Sequence, residues 1–210
     1  MLNRHIRDSE CLVTPSAIKG TAFESATADL HRLIDENAVS REEVEARLEP
    51  GDVVLLDSKI MAASWYSIDS YARMIEILRD VEGGGEDAYL VERGRVGAER
   101  IAATGIYSQL SRLQAKRETY GERFGKVIAT LGPAIFRDVV FTHTRINEES
   151  GPPGYFLRLK VPRDFPDVCR FPIQGFADFL TETSLSEPYL VTSERTAPDL
   201  ITIWGRPTHR

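Results

Sequence analysis

The chain has 210 residues, of which 42% are hydrophobic and 28% are charged, a balance typical of globular proteins that excludes long intrinsic disorder. A chain of this length hides about 70% of its surface on folding, so its core needs neither disulfides nor a metal. The net charge of −6 argues against a general nucleic-acid binder, because such a protein presents a basic face to the phosphate backbone.

The termini and the cysteines bear on location. Residues 1–9 are charged and lack the apolar stretch of a signal peptide. No apolar run approaches the roughly 20 residues that a membrane span needs. The two cysteines, Cys11 and Cys169, follow no metal-binding or redox spacing, so two reduced thiols are expected. The sequence thus predicts a soluble, cytoplasmic protein.

Helical patterns fill the first half of the chain. Residues 21–24 have the S/T-x-x-E form of a capping box and open an apolar stripe at helical spacing, which predicts a helix beginning there. A second box spans Ser40 to Glu43, and Pro50-Gly51 is expected to end that short helix. The apolar stretch 53–61 favours a buried helix over a strand.

A further helix is predicted from Ser67, which is placed as the N-cap of an apolar stripe that runs from Ile68 to Val81. Three consecutive glycines, 83–85, stop it. Helical patterns then resume, and they cover residues 87–104, 106–117 and 120–131. Gly94 and Gly97 weaken the first of these patterns.

The hydrophobic period changes from helix to strand after Arg137. Residues 139–146 and 155–161 alternate with a period of two on either side of a turn-rich connection, which predicts a hairpin. A helix with Pro172 in its first turn follows, and residues 189–194 and 200–204 predict a closing hairpin. The apolar stripe of that helix predicts a buried face of Ile173, Phe176, Phe179 and Leu180. This face should pack against the covered face of the sheet, with Tyr155, Leu157 and Leu159.

This order predicts an α+β fold, in which an N-terminal helical part packs on a C-terminal four-stranded antiparallel sheet of β-β-α-β-β order. Residues 1–16 are interpreted as an N-terminal extension and 17–206 as a single domain. Within that domain, 17–136 form the helical part and 137–206 the sheet part.

The sequence carries no assembled catalytic motif: phosphate-binding loops, nucleophile elbows and H-E-x-x-H are all missing. His143 shares a strand face with Phe141 and is a candidate ligand-binding or catalytic residue, with a packed or surface histidine as the alternative. Cys169, just before the late helix, could be a thiolate favoured by the helix N-terminus or simply a small buried hydrophobe.

Trp65 and Tyr66 form an aromatic pair that could line a pocket or belong to the core. No basic residues interleave with them, which disfavours stacking on nucleic-acid bases. Because neighbours on a helix lie about 100° apart, we expect Trp65 to pack inside the helical part. Tyr66 should then face a pocket or an interface.

Three segments carry a resemblance that covers nearly the whole chain, from Ala17 to Arg206. Residues 18–23, residues 62–66 and residues 167–170, the last followed by the helix with Gly175, resemble an uncharacterised bacterial paralogous family of about this length. That family is distantly similar to the 4-vinyl-reductase-like domains, the haem-nitric-oxide-binding (H-NOX) sensors and the Bet3-type trafficking subunits.

The resemblance implies a pocket between helices and sheet, which holds haem in one branch and acyl chains or small effectors in others. The haem branch has a Tyr-x-Ser-x-Arg motif and a proximal histidine on a preceding helix. This chain lacks that motif and has no histidine between His31 and His143. Metal-binding relatives use several Cys or His residues where only Cys169 matches. We therefore expect no haem, no structural metal and no other cofactor.

The leading functional hypothesis is a non-enzymatic module of a bacterial regulatory system that senses a small ligand or acts as a protein-interaction adaptor. Its ligand would be small and hydrophobic, and Tyr66, Trp65, His143 and Cys169 are the candidate ligand or partner residues. One alternative is an enzyme whose dispersed site uses Cys169 and His143. Another is a purely structural subunit that dimerises through an apolar helix face, so a homodimer is possible.

Overall fold

A computed structural model describes residues 16–103, 127, 130–146, 154–184 and 188–208. The helices expected over 106–117 and 120–131 lie outside these ranges except for residues 127, 130 and 131, which are helical. The described helices are α1 (Gly20–Asp35), α2 (Arg41–Glu45), α3 (Pro50–Leu56), α4 (Ile68–Val81), α5 (Asp87–Ala103) and α6 (Arg170–Ser184), and residues 130–135 are helical as well. The strands are β1 (Ala17–Lys19), β2 (Trp65–Ser67), β3 (Phe136–Arg137), β4 (Val140–Ile146), β5 (Gly154–Lys160), β6 (Tyr189–Ala197) and β7 (Leu200–Pro207).

The four C-terminal strands confirm the predicted α+β fold. They form an antiparallel sheet in the order β4-β5-β7-β6, with both predicted hairpins present. Alternation along β5 places Tyr155, Leu157 and Leu159 on one face, where all three are buried, as predicted. The helix α6 covers this face and contacts β6 and β7.

The buried side of α6 differs from the predicted one in part. Ile173 and Leu180 are buried as expected, whereas Phe176 and Phe179 are only half-buried. The smaller Ala177 is fully buried instead. Because α5 packs on α6 over most of its length, small residues occupy the contact and the phenylalanines lie beside it.

The helical part is built on the amphipathic helices α1 and α4, which pack against each other. The buried residues of α1 recur at helical spacing, so its apolar stripe faces the core. The predicted N-cap of α4, Ser67, accepts hydrogen bonds from the backbone N–H groups of Asp69 and Ser70. The predicted capping box of Ser40 and Glu43 is also confirmed.

Two predicted helix boundaries are wrong. The helix α1 begins at Gly20 without a side-chain cap, because the N–H group of Gly20 donates to the carbonyl oxygen of Ser64 (2.9 Å). The backbone pairing of β1 therefore replaces the capping box expected at residues 21–24. Pro50 begins α3 rather than ending the preceding helix, since its fixed φ and missing N–H suit a first helical position.

A second, three-stranded sheet in the order β2-β1-β3 joins the two parts of the chain and was not predicted. In its antiparallel register, Ile18 pairs with Tyr66 on one side and with Phe136 on the other. Its strands have only two or three residues each, too few for a period of two to be recognised. Trp65 and Tyr66, assigned by sequence to the approach to a helix, lie in β2.

Candidate functional site

A cavity of about 380 Å³ lies between the helices and the large sheet. Its walls come from α1, α5, α6, residues 131–136 and the strands β4 and β5. Ligand pockets are concave, largely apolar and usually of about 300–1,000 Å³, so this cavity has the size of a small-molecule site.

The end of the cavity nearest the sheet is apolar. Phe141 of β4 and Leu157 of β5 lie on the covered face of the sheet, where Phe141 pairs with Leu159, and both Phe141 and Leu157 line the cavity. Ile173 and Phe176 of α6 lie opposite, and Ile135 adds a further aliphatic wall. The half-buried state of Phe141 and Phe176 follows from this arrangement, because each packs on the core and faces the cavity.

One face of α5 forms the helical wall. Arg93, Gly97 and Arg100 all line the cavity, and their i, i+4, i+7 spacing places them on one face of the helix. A methyl group on Gly97 would meet no atom within 4 Å, so the missing side chain contributes directly to the free space. Gly94 is different: a methyl group there would overlap the backbone of Pro172.

The opposite end of the cavity carries a connected polar network. Arg93 donates from Nη1 to Asp29 Oδ2 (2.5 Å) and to the hydroxyl of Tyr89 (3.3 Å). That hydroxyl donates in turn to Glu82 Oε2 (2.6 Å), and Arg32 Nη2 donates to both oxygens of Glu82 (2.8 Å each). The network ties α1 to α5 and to the end of α4.

Burial and hydrogen bonding set the charge states of Arg93 and Tyr89 in this network. Burial disfavours the charge of Arg93, but the hydrogen bonds to Asp29 and Tyr89 and the Coulombic effects of Tyr71 and Tyr89 together outweigh it, and the pKa of Arg93 is raised. Burial and the hydrogen bond to Glu82 raise the pKa of Tyr89 to about 12. At neutral pH Arg93 is therefore a charged donor and Tyr89 is a neutral donor.

Of the four candidate residues predicted from sequence, Trp65 and Tyr66 lie outside the cavity lining. Tyr66 packs on the core, where its ring stacks on Phe23 (centroids 4.8 Å apart) and its hydroxyl accepts a hydrogen bond from the N–H of Met61 (2.7 Å). Trp65 is half-buried, with the cations of Lys19 and Arg137 4.5 and 4.7 Å from its ring centroid.

The expectation that Trp65 packs inside the helical part is therefore wrong. The two residues alternate across a strand rather than being displaced by 100° around a helix, and it is Tyr66 that turns towards the core. Whether either residue touches a ligand or partner stays a prediction.

His143 lies on one edge strand of the large sheet, and the turn that holds Cys169 is bound to the other edge strand. His143 is on β4, with its ring 5.8 Å from that of Tyr155, and burial lowers its pKa to about 4. Cys169 precedes α6, in a turn whose Asp167 and Arg170 bind residues of β6. β5 and β7 separate β4 from β6, a span of about 14 Å.

The Cys169 thiol does not have the environment of a nucleophile. It is fully buried, and burial raises its pKa well above the ordinary value, with the nearby carboxylates of Glu76 and Asp69 acting in the same direction. The structure thus gives Cys169 the surroundings of a small buried hydrophobe, the alternative considered from the sequence.

Comparisons with known proteins support the fold. Neither the models of known families nor the curated proteins contain a match to the chain. Among solved structures, it is similar to a single-site mutant of the T. tengcongensis H-NOX and to a Cs H-NOX mutant that carries 4-cyano-L-phenylalanine. Each has a TM-score of 0.57 and 12% sequence identity over 91% of this chain, and the match covers 98% and 97% of those chains respectively. At this identity, the likeness shows that the chain has an H-NOX-like fold.

An H-NOX-like fold implies haem, but the cavity residues do not fit a haem iron. The described lining residues include neither histidine nor cysteine. The two tyrosines among them, Tyr71 and Tyr89, both have raised pKa values, chiefly because of burial, so neither is prepared to ligate as a phenolate. Throughout the described ranges, no cluster of three or more metal-binding side chains occurs. In these same ranges, no helix is long and apolar enough to cross a bilayer.

Sequence reasoning missed the helical wall of the cavity. The available signal was the pair Gly94 and Gly97 inside an otherwise helical pattern, with Arg93 and Arg100 on either side. Glycines inside a helix cost stability and often have a packing or functional reason. Here Gly94 serves close packing of two helices and Gly97 serves the cavity.

Proposed function

We propose that this protein is a non-enzymatic regulatory module that binds a small, largely apolar ligand in the cavity between its helices and its sheet. The observation that carries the proposal is the cavity itself, with about 380 Å³ of space against the apolar side chains of Phe141, Leu157, Ile173 and Phe176. Burial of a ligand against such a surface is favourable by roughly 25 cal/mol per Å² of apolar area before the costs of binding are subtracted.

The position of the cavity supports a sensing role. Its lining comes from α1, α5, α6 and the sheet, so a bound molecule would contact every layer of the fold at once. Binding to the folded state alone would stabilise these contacts by mass action. The protein partner that would receive the signal, and the predicted homodimer, remain predictions that native mass spectrometry tests directly.

The enzymatic alternative has less support. It requires Cys169 and His143 to act together, and these residues are associated with opposite edge strands of the sheet. A nucleophile and its base must lie within hydrogen-bond reach, about 2.6–3.2 Å.

The test is titration of the wild-type protein with N-phenyl-1-naphthylamine, an uncharged dye whose fluorescence rises in apolar surroundings. We expect saturable binding of one dye per chain. The variant Gly97→Leu should abolish binding, because the leucine side chain would occupy the free space beside α5. It should also fold well, since leucine is a better helix former than glycine by about 0.8 kcal/mol.

Gly51→Leu is the matched control. Gly51 also has open space around it, but it lies in the first turn of α3 and does not line the cavity. Dye binding should be unchanged in this variant. Absence of saturable binding to the wild type, or equal binding by Gly97→Leu and wild type, would contradict the proposed function.

A further inference from the structure

We infer that the ligand of this cavity is an amphipathic monocarboxylate, whose apolar body lies against the sheet and whose carboxylate lies over Gly97, between Arg93 and Arg100. The inference rests on the proposed function and adds the chemical class of the ligand. It follows from the hydrogen-bonding state of the two arginines on the cavity wall.

Arg93 retains unused donors that face accessible space. Its described hydrogen bonds, to Asp29 and Tyr89, both come from Nη1. A guanidinium has five N–H donors, so the donors on Nε and Nη2 have no acceptor among the described residues. Neither nitrogen is among the described buried side-chain atoms that lack a partner, so both are accessible to water or to a ligand. The side chain as a whole is only 16% exposed.

Arg100 provides a second cation on the same helix face. It makes no hydrogen bond or ion pair with any residue in the described ranges, and it lines the cavity. Seven residues of helix separate it from Arg93, a rise of about 10 Å. Gly97 lies between them and leaves room for a ligand atom to approach the backbone of α5. Two planar donor groups on either side of an open position match the geometry of a carboxylate.

The acidic residues of the lining do not cancel this preference. Asp29 is paired with Arg93, and Glu82 is paired with Arg32 and with the hydroxyl of Tyr89. Glu92 is the remaining acidic residue of the lining; it is exposed and makes no ion pair with the described residues. Its charge would oppose a bound anion and favour a bound cation. Removing this charge should therefore strengthen the binding of an anion and weaken the binding of a cation.

Isothermal titration calorimetry with octanoate, octan-1-ol and octylamine at pH 7 separates anionic, neutral and cationic head groups on one apolar body. We expect octanoate to bind at least about tenfold more tightly than octan-1-ol, as for hydrogen bonds to charged groups. Arg100→Gln should remove most of this difference and leave the affinity for octan-1-ol unchanged. Glu92→Gln should strengthen octanoate binding.

Arg47→Gln is the control, because Arg47 is an exposed arginine in an ion pair with Asp80 outside the cavity lining. Equal affinities for octanoate and octan-1-ol, or octylamine as the tightest ligand, would overturn the carboxylate inference and leave the apolar cavity standing. If none of the three binds and N-phenyl-1-naphthylamine does not bind either, the proposed function fails together with this inference.

Discussion

Gly94 on α5 faces the carbonyl group of Pro172 on α6 so closely that a methyl group at Gly94 would overlap it. Gly97, less than one turn further along the same helix, meets nothing in the corresponding direction. The two glycines of α5 therefore have different roles. Gly94 lets two helices touch, and Gly97 leaves a space beside them.

The first prediction contrasts these two positions. Gly94→Ala should lower the free energy of unfolding by about 1–3 kcal/mol, because the added methyl group separates α5 from α6. Gly97→Ala should raise it by up to about 1 kcal/mol, because alanine favours the helix and meets no neighbour. Urea denaturation measures both, and equal effects of the same sign would contradict the assigned packing.

The second prediction concerns the buried pair of Asp52 and Arg73, which joins α3 to α4 through hydrogen bonds of 2.5 and 3.1 Å. Only 3% of the Asp52 side chain is exposed. Arg73→Ala should cost about 2–4 kcal/mol, because it leaves a buried carboxylate without its partner. Arg47→Ala breaks an exposed pair with Asp80 and should cost no more than about 1 kcal/mol. Similar losses for the two variants would show that burial of Asp52 carries no special cost.

The same carboxylate gives an expected pH dependence. Burial raises the pKa of Asp52, but the hydrogen bonds from Arg73, Ser70 and the backbone of Glu49 outweigh it, and the pKa is lowered. Because this pKa is lowered in the folded state, the ionised Asp52 stabilises the fold. This stabilisation is complete above the ordinary pKa near 3.8 and is lost as the pH falls below that value. Asp52→Asn should therefore flatten the acid limb of the stability curve below about pH 4, as followed by thermal melts.

The fourth prediction uses His143, whose pKa is lowered from 6.5 to about 4 by burial. The folded state holds the His143 ring neutral. The contribution of this ring to the free energy of unfolding is therefore complete above pH 6.5 and is lost as the pH falls towards 4. When the pH falls from 7 to 4, the free energy of unfolding of His143→Phe should decrease by about 2 kcal/mol less than that of the wild type. This figure allows for the partial exposure of the ring. Identical losses in the two proteins would show that the His143 ring is solvated.

The fifth prediction concerns the aromatic pair in β2. Tyr66→Ala should cost about 2–4 kcal/mol, since its ring packs on Phe23 within the core. Trp65→Ala should cost only about 1 kcal/mol, because its main partners are the cations of Lys19 and Arg137. Thermal melts of the two variants compare them, and a larger loss for Trp65→Ala would contradict the orientation of β2.

The fold class could be predicted because its signals are long and periodic. Alternation over seven residues in β4 and β5 predicts both the hairpin and its covered face, and Ser67 marks the start of α4 by its cap. The strands of the small sheet carry no such signal, because two or three residues show no period. Their pairing depends on Ile18, Tyr66 and Phe136 meeting across more than a hundred residues of chain.

The site could not be predicted for a related reason. A cavity is defined by what several elements leave unfilled, and the sequence records only what each element contains. Gly97 illustrates this, since a glycine in a helical pattern weakens the helix but does not show whether it faces a neighbour or a void. Trp65 and Tyr66 are the large aromatic pair that the sequence offers as pocket residues, and both lie outside the lining.

The most direct test for a ligand between α5, α6 and the sheet is to locate one in a crystal. Crystals soaked with 1-bromooctane give an anomalous signal from bromine that marks the bound molecule. We expect one strong bromine peak within about 5 Å of the backbone of Gly97 or of a side chain among Leu157, Ile173 and Phe176. A peak confined to another part of the surface, or no peak in crystals that diffract well, would contradict the account.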